Sequence, residues 1–449
     1  MRELARTVCR NYSQLAPMTL HQTQPCSRRD ILLYLASSCA PSEQSVAETV
    51  ANYTQITSHA SSADGLRFAN ARVKLRDACT PRYERILQCL LQQHSTHGLQ
   101  LLVALREDLR QWIPLVQQQQ QQSNMDNLLL PLQLKQLNSH LLQILSTWFS
   151  PGMLQIRRIT YESTPASIIE TIAVREAVHP VQSLDDLRSR LGSGRRVLAL
   201  FHPLLPDQPL VILHVSLQPV IPDSMTLVLE SPHAHDNNDS VSSVATFYSI
   251  SSLQPGLAGV GLGEYLIKEA VTLLGQELST LQHFVTLSPI PRFRKWLEER
   301  ANASGKFTST DLIGPRDLDS LSQYLECSPE QVLSRFVDRL TSRGPDIFND
   351  SDTCSWVEAV LVQLAGRYLI HEKHRRKPLD GVARFHIGNG ARVHRINPAA
   401  DLSRKGWQTS FGVMVNYQYD LDSVASNQAR YETDYDIPVG PLVADLLND

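Results

Sequence analysis

The sequence predicts an α+β protein, with an all-helical region over residues 1–150 and a mixed α/β domain with inserted helices over 151–449. Three observations carry this reading. From residue 27 to 149 the apolar spacing is helical, with few β-branched runs. After Ser150-Pro151-Gly152 the pattern changes to short β-rich runs. At residues 247–268 a strand runs into a glycine-rich turn that opens a helix. The 449 residues leave room for two to three domains.

Composition excludes several classes. Lys+Arg 42 against Asp+Glu 45 gives a net charge of −3, so no basic footprint points to nucleic acid. No apolar run approaches the roughly 18 residues of a membrane span. Seven cysteines, an odd number without a CxxC pair, argue against a zinc ribbon or a complete disulfide framework and for a reducing compartment. Glu3 interrupts the run of Arg2, Arg6 and Arg10, and no apolar segment follows, so no secretory signal is expected. The cytoplasm is the expected location and the mitochondrial matrix the alternative, since the ending Leu446-Leu447-Asn448-Asp449 lacks the peroxisomal SKL type.

Along the helical region, Ser27 with Asp30 reads as an N-cap pair, and Ser42 caps a segment with Val46, Val50 and Tyr53 on one face. Helices follow within 63–93, from Gly98 through Leu109, and over 125–149. Between the last two, the run Gln117 to Gln122 reads as a lengthened inter-helix loop, because glutamine supplies no core contacts. The many leucines leave apolar stripes suited to self-association.

In the second region, 197–202, 210–217, 225–230 and 244–250 read as strands. The polar stretch 233–243 reads as a hairpin loop whose His233 and His235 need further ligands to hold a metal. Then come a helix over 262–280, a strand over 283–287 and a helix over 292–303. Ser328-Pro329-Glu330-Gln331 reads as a capping box opening an inserted helix. Residues 382–387, 391–396 and 412–419 close the domain as strands, the first two flanking a positive-φ turn at Gly388-Asn389-Gly390. His371-Glu372-Lys373-His374 has i+3 rather than i+4 histidine spacing, and reads as a basic helix terminus rather than a metal site.

Three motifs can carry chemistry. Gly256, Gly259, Gly261 and Gly263 leave backbone amides unobstructed at a helix N-terminus, an arrangement that binds phosphate or pyrophosphate. The GKS/T of a Walker loop is missing. Ala258, Gly259, Val260, Gly261, Leu262 and Gly263, followed by Glu264, resemble the QxxGxG/A turn of the GNAT-type N-acetyltransferase fold, which holds the pyrophosphate of coenzyme A. Second, Ser288 ends a strand before Pro289, where it can face a ligand. GxSxG is absent and Pro289 has no N–H to donate to an oxyanion, so Ser288 is expected to hydrogen-bond substrate rather than form an acyl-enzyme. Third, His386 alternates with Phe385 and Ile387 on its expected strand.

Together, EAVHPV at 176–181, FYSIS with the glycine turn, LSPIP with FRKWL, EKHR, and FHIGNGARVHRIN through NYQY resemble the malonyl-CoA decarboxylase family in the same order. The resemblance runs from near residue 28 to about 420. It implies a helical oligomerisation domain, a homo-oligomer that is a tetramer, and a catalytic domain of the acetyltransferase fold converting malonyl-CoA to acetyl-CoA and carbon dioxide. It places the catalytic serine and histidine on Ser288 and His386 and the coenzyme A loop on 258–264.

Loss of carbon dioxide from a malonyl thioester leaves an enolate that the thioester carbonyl delocalises, so no cofactor and no metal is expected. Ser288 is expected to orient the malonyl group or enolate. His386 is expected to deliver the proton, with an ordinary pKa near neutrality that allows both states. Asn389 and Tyr419 are nearby candidates for oxyanion donors. The rivals are an acyltransferase of the same fold and a non-catalytic acyl-CoA-binding regulator.

Overall fold

Leucines at 134, 137, 141 and 145 form one stripe of the Leu129–Trp148 helix, and all four are fully buried. Each such side chain contributes about 1.5–3 kcal/mol on burial. The computed structural model describes residues 27–58, 65–123, 129–230, 242–302, 312–349 and 351–448. Arg2, Arg6, Arg10, His233 and His235 lie outside them. The chain divides into two compact units: Met1–Gln155 with Leu200–Leu210 and Ser252–Leu262, and Ile156–Ala199 with Val211–Ser251 and Gly263–Asp449.

In the first unit the Arg28–Leu33 helix starts at the expected capping box, with Asp30 N–H donating to Ser27 Oγ and Ser27 N–H donating to Asp30 Oδ2. Helices Glu43–Ser58, Gly65–Cys79, Tyr83–Gln93, Ser95–Ser123 and Leu129–Trp148 follow. The glutamine run is a correction to the sequence reading: it continues the Ser95–Ser123 helix instead of opening a loop. Glutamine is a good helix former, and a helix already nucleated by the buried Leu99, Leu102, Leu105 and Leu109 needs only propagation. The Ser252–Leu262 segment packs on this same helix so closely that a Cβ on Gly256 would run into the Val103 carbonyl oxygen.

The second unit is built on an eight-stranded sheet. Its strands are β1 (Gln155–Ile159), β2 (Arg195–Phe201), β3 (Val211–Gln218), β4 (Val244–Ser252), β5 (His283–Thr286), β6 (Ser288–Pro289), β9 (Arg392–Asn397) and β10 (Met414–Tyr419). A separate two-stranded ladder joins β7 (Lys373–His374) to β8 (Lys377–Pro378). The large sheet runs β1-β2-β3-β4-β5-β10-β6, with β9 also on β10. β4 and β5 are parallel and connected through the glycine turn and the Leu262–Glu277 helix, which is the expected strand–turn–helix–strand unit. β10 is antiparallel to β5, β6 and β9.

Four expectations need correction. Residues 225–230 form the Met225–Leu229 helix, because Ser224 Oγ accepts from Leu227 N–H and caps it. Residues 382–387 belong to the Gly381–Gly388 helix, opened by Asp380, whose Oδ1 accepts from the N–H groups of Val382 and Ala383 at 2.8 and 2.9 Å. A short apolar run without a turn of spacing on either side fits a strand or a buried helix equally, and the cap decides. His371 to Lys377 is no helix terminus: the helix ends at Ile370, and Arg375 and Arg376 at φ 50 and 69° make the tight turn between β7 and β8. Ser328 precedes a 3₁₀ turn, Pro329–Gln331, but its side chain makes no capping bond. The positive-φ turn after the histidine helix is carried by Gly390 alone, at φ 84°.

EAVHPV is held by a buried carboxylate. Glu176 Oε1 accepts from the N–H groups of Val178 and His179 and from the hydroxyls of Ser249 and Ser251, and Oε2 lies 3.3 Å from His214 Nε2. Burial pushes its pKa up, but contact with His214 and these hydrogen bonds outweigh it and hold the carboxyl at about 2, against 4.5 ordinarily. A depressed carboxyl pKa stabilises the fold above the unfolded value, and that stability is lost as pH falls from about 4.5 to about 2. Chemical denaturation across this window should show wild-type stability dropping by up to about 1.4 kcal/mol per pH unit relative to Glu176→Gln. A constant difference between the two proteins across the window would contradict the assignment.

Candidate active site

The second unit brings Ser288, His386 and Tyr419 into one hydrogen-bonded line. Ser288 stands in β6, opposite Val415 of β10, and His386 sits in the Gly381–Gly388 helix. Ser288 Oγ donates to Thr286 Oγ1 at 2.9 Å and lies 3.2 Å from His386 Nε2. His386 Nδ1 lies 2.8 Å from the Tyr419 hydroxyl. All three residues are buried, at 6, 3 and 4 % exposure. Because the Ser288 proton goes to Thr286, Ser288 Oγ is the acceptor toward Nε2. That assigns the imidazole proton to Nε2 and makes Nδ1 the acceptor of the Tyr419 O–H.

Burial governs the charges. It lowers the His386 pKa to about 3, so the imidazole is neutral at working pH and out of the near-neutral range expected from the sequence. Burial also pushes the Tyr419 pKa well above the ordinary phenol value, opposed by the Asn389 side chain and reinforced by the Glu264 charge. The phenol therefore keeps its proton. The imidazole stacks on Tyr417, with ring centroids 4.7 Å apart. Asn389 Nδ2 is buried beside the Tyr419 hydroxyl and among the described residues makes no hydrogen bond of good geometry, a donor that can turn to an oxygen arriving with substrate.

The predicted loop has the backbone its glycines imply. Gly259 and Gly261 stand at φ 86 and 88°, where L side chains are strained, and a Cβ on Gly261 would meet nothing within 4 Å. Ala258, Val260 and Leu262 lie between and beside them, and Val260 N–H bonds back to the Leu257 carbonyl. Gly263 is a packing glycine: its Cβ would come within 3.3 Å of Ile250 Cδ1 and Phe385 Cζ. The start of the Leu262–Glu277 helix thus rests against the residue next to His386. Glu264 accepts from Lys268 Nζ at 2.8 Å and from Gln428 Nε2 at 3.3 Å.

Sequence reasoning missed Thr286, Tyr417 and Asp380. Each left a signal: Thr286 and Ser288 share i, i+2 spacing, Tyr417 and Tyr419 do so on β10, and Asp380 before Gly381 is an N-cap pattern.

Comparison with known proteins gives one consistent result. The family described as "Malonyl-CoA decarboxylase N-terminal domain" matches residues 40–149, and "Malonyl-CoA decarboxylase C-terminal domain" matches 152–449. The chain is 34 % identical over 406 residues to the mitochondrial malonyl-CoA decarboxylase of Anser anser anser, covering 90 % of this chain and 76 % of that one. It is 35 % identical over 408 residues to that of Mus musculus, covering 90 and 78 %. The crystal structure of malonyl-CoA decarboxylase from Agrobacterium vitis matches at TM-score 0.76 with 28 % identity, covering 99 % of this chain and 98 % of that one. That from Rhodopseudomonas palustris matches at 0.73 with 30 % identity, covering 99 and 96 %.

The Tyr419 bond is testable apart from activity. Tyr419→Phe leaves His386 Nδ1 buried with no partner and should cost about 1–3 kcal/mol of unfolding free energy by urea titration. A loss below about 0.5 kcal/mol would mean that the bond to Nδ1 is not made.

Proposed function

Because the chain belongs to the malonyl-CoA decarboxylase family, its reaction is the decarboxylation of malonyl-CoA, and we propose that Tyr419, His386 and Ser288 handle its proton. The observation that carries this reading is the continuous line from the Tyr419 hydroxyl through both imidazole nitrogens to Ser288. The loop amides of 258–264 take the diphosphate of the coenzyme. When substrate arrives, Ser288 turns its O–H from Thr286 to the malonyl group and orients it while still accepting from His386 Nε2, and Asn389 Nδ2 donates to the thioester oxygen as charge develops there.

The chemistry follows from these roles. The C–C bond to the carboxylate breaks, carbon dioxide leaves, and the electron pair stays as an enolate spread onto the thioester carbonyl, so we propose that no cofactor takes part. A thioester enolate is a far stronger base than the anion of a neutral imidazole, so His386 need not be cationic. Its Nε2–H passes to the carbon, Nδ1 takes the Tyr419 proton, and solvent restores the phenol. The net reaction consumes one proton and leaves the imidazole protonated on Nδ1; loss of that proton and uptake of one at Nε2 by exchange with solvent restore the starting state. Ser288 is not acylated, since its lone pair accepts from His386 and Pro289 offers no neighbouring amide.

Partners and place belong to the same reading. Val50, Leu66 and Val73 are exposed on the helices Glu43–Ser58 and Gly65–Cys79, where among the described residues only Ala71 is buried. This supports association of copies through the helical region, as a tetramer by family resemblance. No helix among the described residues is long and apolar enough to cross a membrane. The free thiols of Cys39, Cys79, Cys89 and Cys327 support a reducing compartment, cytoplasm or mitochondrial matrix.

Light scattering should find an oligomer for the wild type and a smaller species for Leu66→Asp/Val73→Asp; an unchanged mass would move the interface elsewhere. Incubation with malonyl-CoA and no acceptor should release carbon dioxide. His386→Asn should lower kcat by about 10²–10⁴-fold with coenzyme A binding retained, and Ser288→Ala should also lower kcat. With His386 neutral in the free enzyme down to about pH 3, kcat/KM should be level between about pH 5 and 8. An inflection near pH 6.5 that vanishes in His386→Asn would overturn the neutral-donor route. Mass spectrometry of protein quenched during turnover should find no adduct, and a malonyl or acetyl group on Ser288 would overturn the non-covalent one.

A further inference from the structure

The Ser95–Ser123 helix carries a charge that its surroundings do not balance. Arg106 is 2 % exposed, and among the described residues no carboxylate pairs with it. Its guanidinium instead donates from Nη1 to the Gly256 carbonyl at 2.5 Å and from Nη2 to the Ala258 carbonyl at 2.7 Å, while Nε is buried without a partner. A buried cation held only by neutral carbonyls bears a desolvation penalty of several kcal/mol, which an arriving anion relieves. Burial, reinforced by Arg110, pushes its pKa down from the ordinary arginine value.

The carbonyls it holds are not arbitrary. The Ala258 carbonyl belongs to the same peptide plane as the Gly259 N–H, so a donor fixed on one end orients and polarises the other. Among the described residues Gly259 N–H donates no hydrogen bond, whereas its neighbours Ala258 and Val260 bond back to Pro255 and Leu257. A Cβ on Gly259 would lie 3.9 Å from Arg106 Nη2, so the backbone here runs alongside the guanidinium. All of these residues belong to the first compact unit.

We infer that Arg106 is a positioning residue for acyl-CoA binding: it fixes the 256–259 peptides so that the Gly259 amide meets the coenzyme diphosphate, whose negative charge compensates the buried guanidinium. This rests on reading 258–264 as the diphosphate loop. It assigns to the helical region a part in substrate binding.

The test compares two thioesters on the full-length protein: malonyl-CoA, and malonyl-pantetheine, which lacks the diphosphate. Arg106→Met should raise KM for malonyl-CoA about tenfold with kcat within about twofold, and leave kcat/KM for malonyl-pantetheine unchanged. Arg106→Lys, keeping the charge but able to serve fewer carbonyls, should fall between. Equal losses on both thioesters, or an unchanged KM for malonyl-CoA, would overturn the proposal. Should Arg106→Met not fold, Arg106→Lys alone decides, with a KM rise confined to malonyl-CoA expected. Gly261→Ala, measured beside them, separates the two ideas. If it leaves KM for malonyl-CoA unchanged, the loop reading itself falls; if it raises KM while the Arg106 variants do not, only the role of Arg106 falls.

Discussion

The site depends on a break in one ladder. β10 pairs with β5 through Gln418 and Tyr419 and with β6 through Met414 and Val415, and the two stretches do not join. A buried backbone group left unpaired costs about 1–3 kcal/mol, so such a gap persists only if side chains fill it. They do. Asn416 Nδ2 donates to the Thr286 carbonyl and the Pro222 carbonyl, its Oδ1 accepts from Asn397 and Arg395, and Tyr417 N–H donates to Thr286 Oγ1. β10 also shifts register against β9 between Asn416 and Tyr417. Beyond this joint Ser288 meets the histidine helix. Thr286 thus has two tasks, completing the ladder and taking the proton of Ser288.

That second task sets the direction of the whole line. Were Ser288 free to donate to His386, the pair would resemble a base and a nucleophile. With its proton committed to Thr286, the serine accepts, and the imidazole is a donor. Glu176 and His386, both buried in this unit, are therefore opposites. Glu176 keeps its charge because His214 lies against one oxygen and hydrogen bonds converge on the other. Among the described residues His386 has no ionic partner to sustain a charge, only a phenol, a hydroxyl and the Tyr417 face. One anchors a loop permanently; the other can part with a proton and recover it.

Much of this was legible in the sequence. The change from a helical to a mixed α/β pattern, the glycine turn and the strand–turn–helix–strand unit around it follow from patterns that extend over many residues or rest on backbone geometry that glycine alone allows, whereas Ser288 stands in a short strand of its own rather than at the end of the one before it. The misreadings are all short. Residues 225–230 and 382–387 are short, mostly apolar stretches whose state is decided by one capping side chain, Ser224 or Asp380. Gln117 to Gln122 was read from composition, whereas its state follows from the buried helix before it. Arg375 and Arg376 adopt left-handed backbone conformations that their residue type disfavours, imposed by the two-residue link between β7 and β8. Tyr419 is visible in the sequence as a polar residue, but its partner is not, because His386 stands in the Gly381–Gly388 helix and not on the strand that its alternation with Phe385 and Ile387 predicts.

Arg106 lies beyond all of these signals, and the reason is topological. Nothing local distinguishes it from the other basic residues of a long helix. Its meaning comes from Gly256 and Ala258, which stand 150 and 152 positions away. The absence of a side chain at Gly256 is what admits the segment to the Val103 backbone, close enough for the guanidinium to reach both carbonyls. A glycine conserving space and an arginine supplying charge are one device written in two distant places. It follows that the helices of residues 27–149 and the turn of residues 252–262 fold as parts of the same core, and that the backbone presented at Gly259 is set by packing against a helix as much as by the glycines of the loop itself.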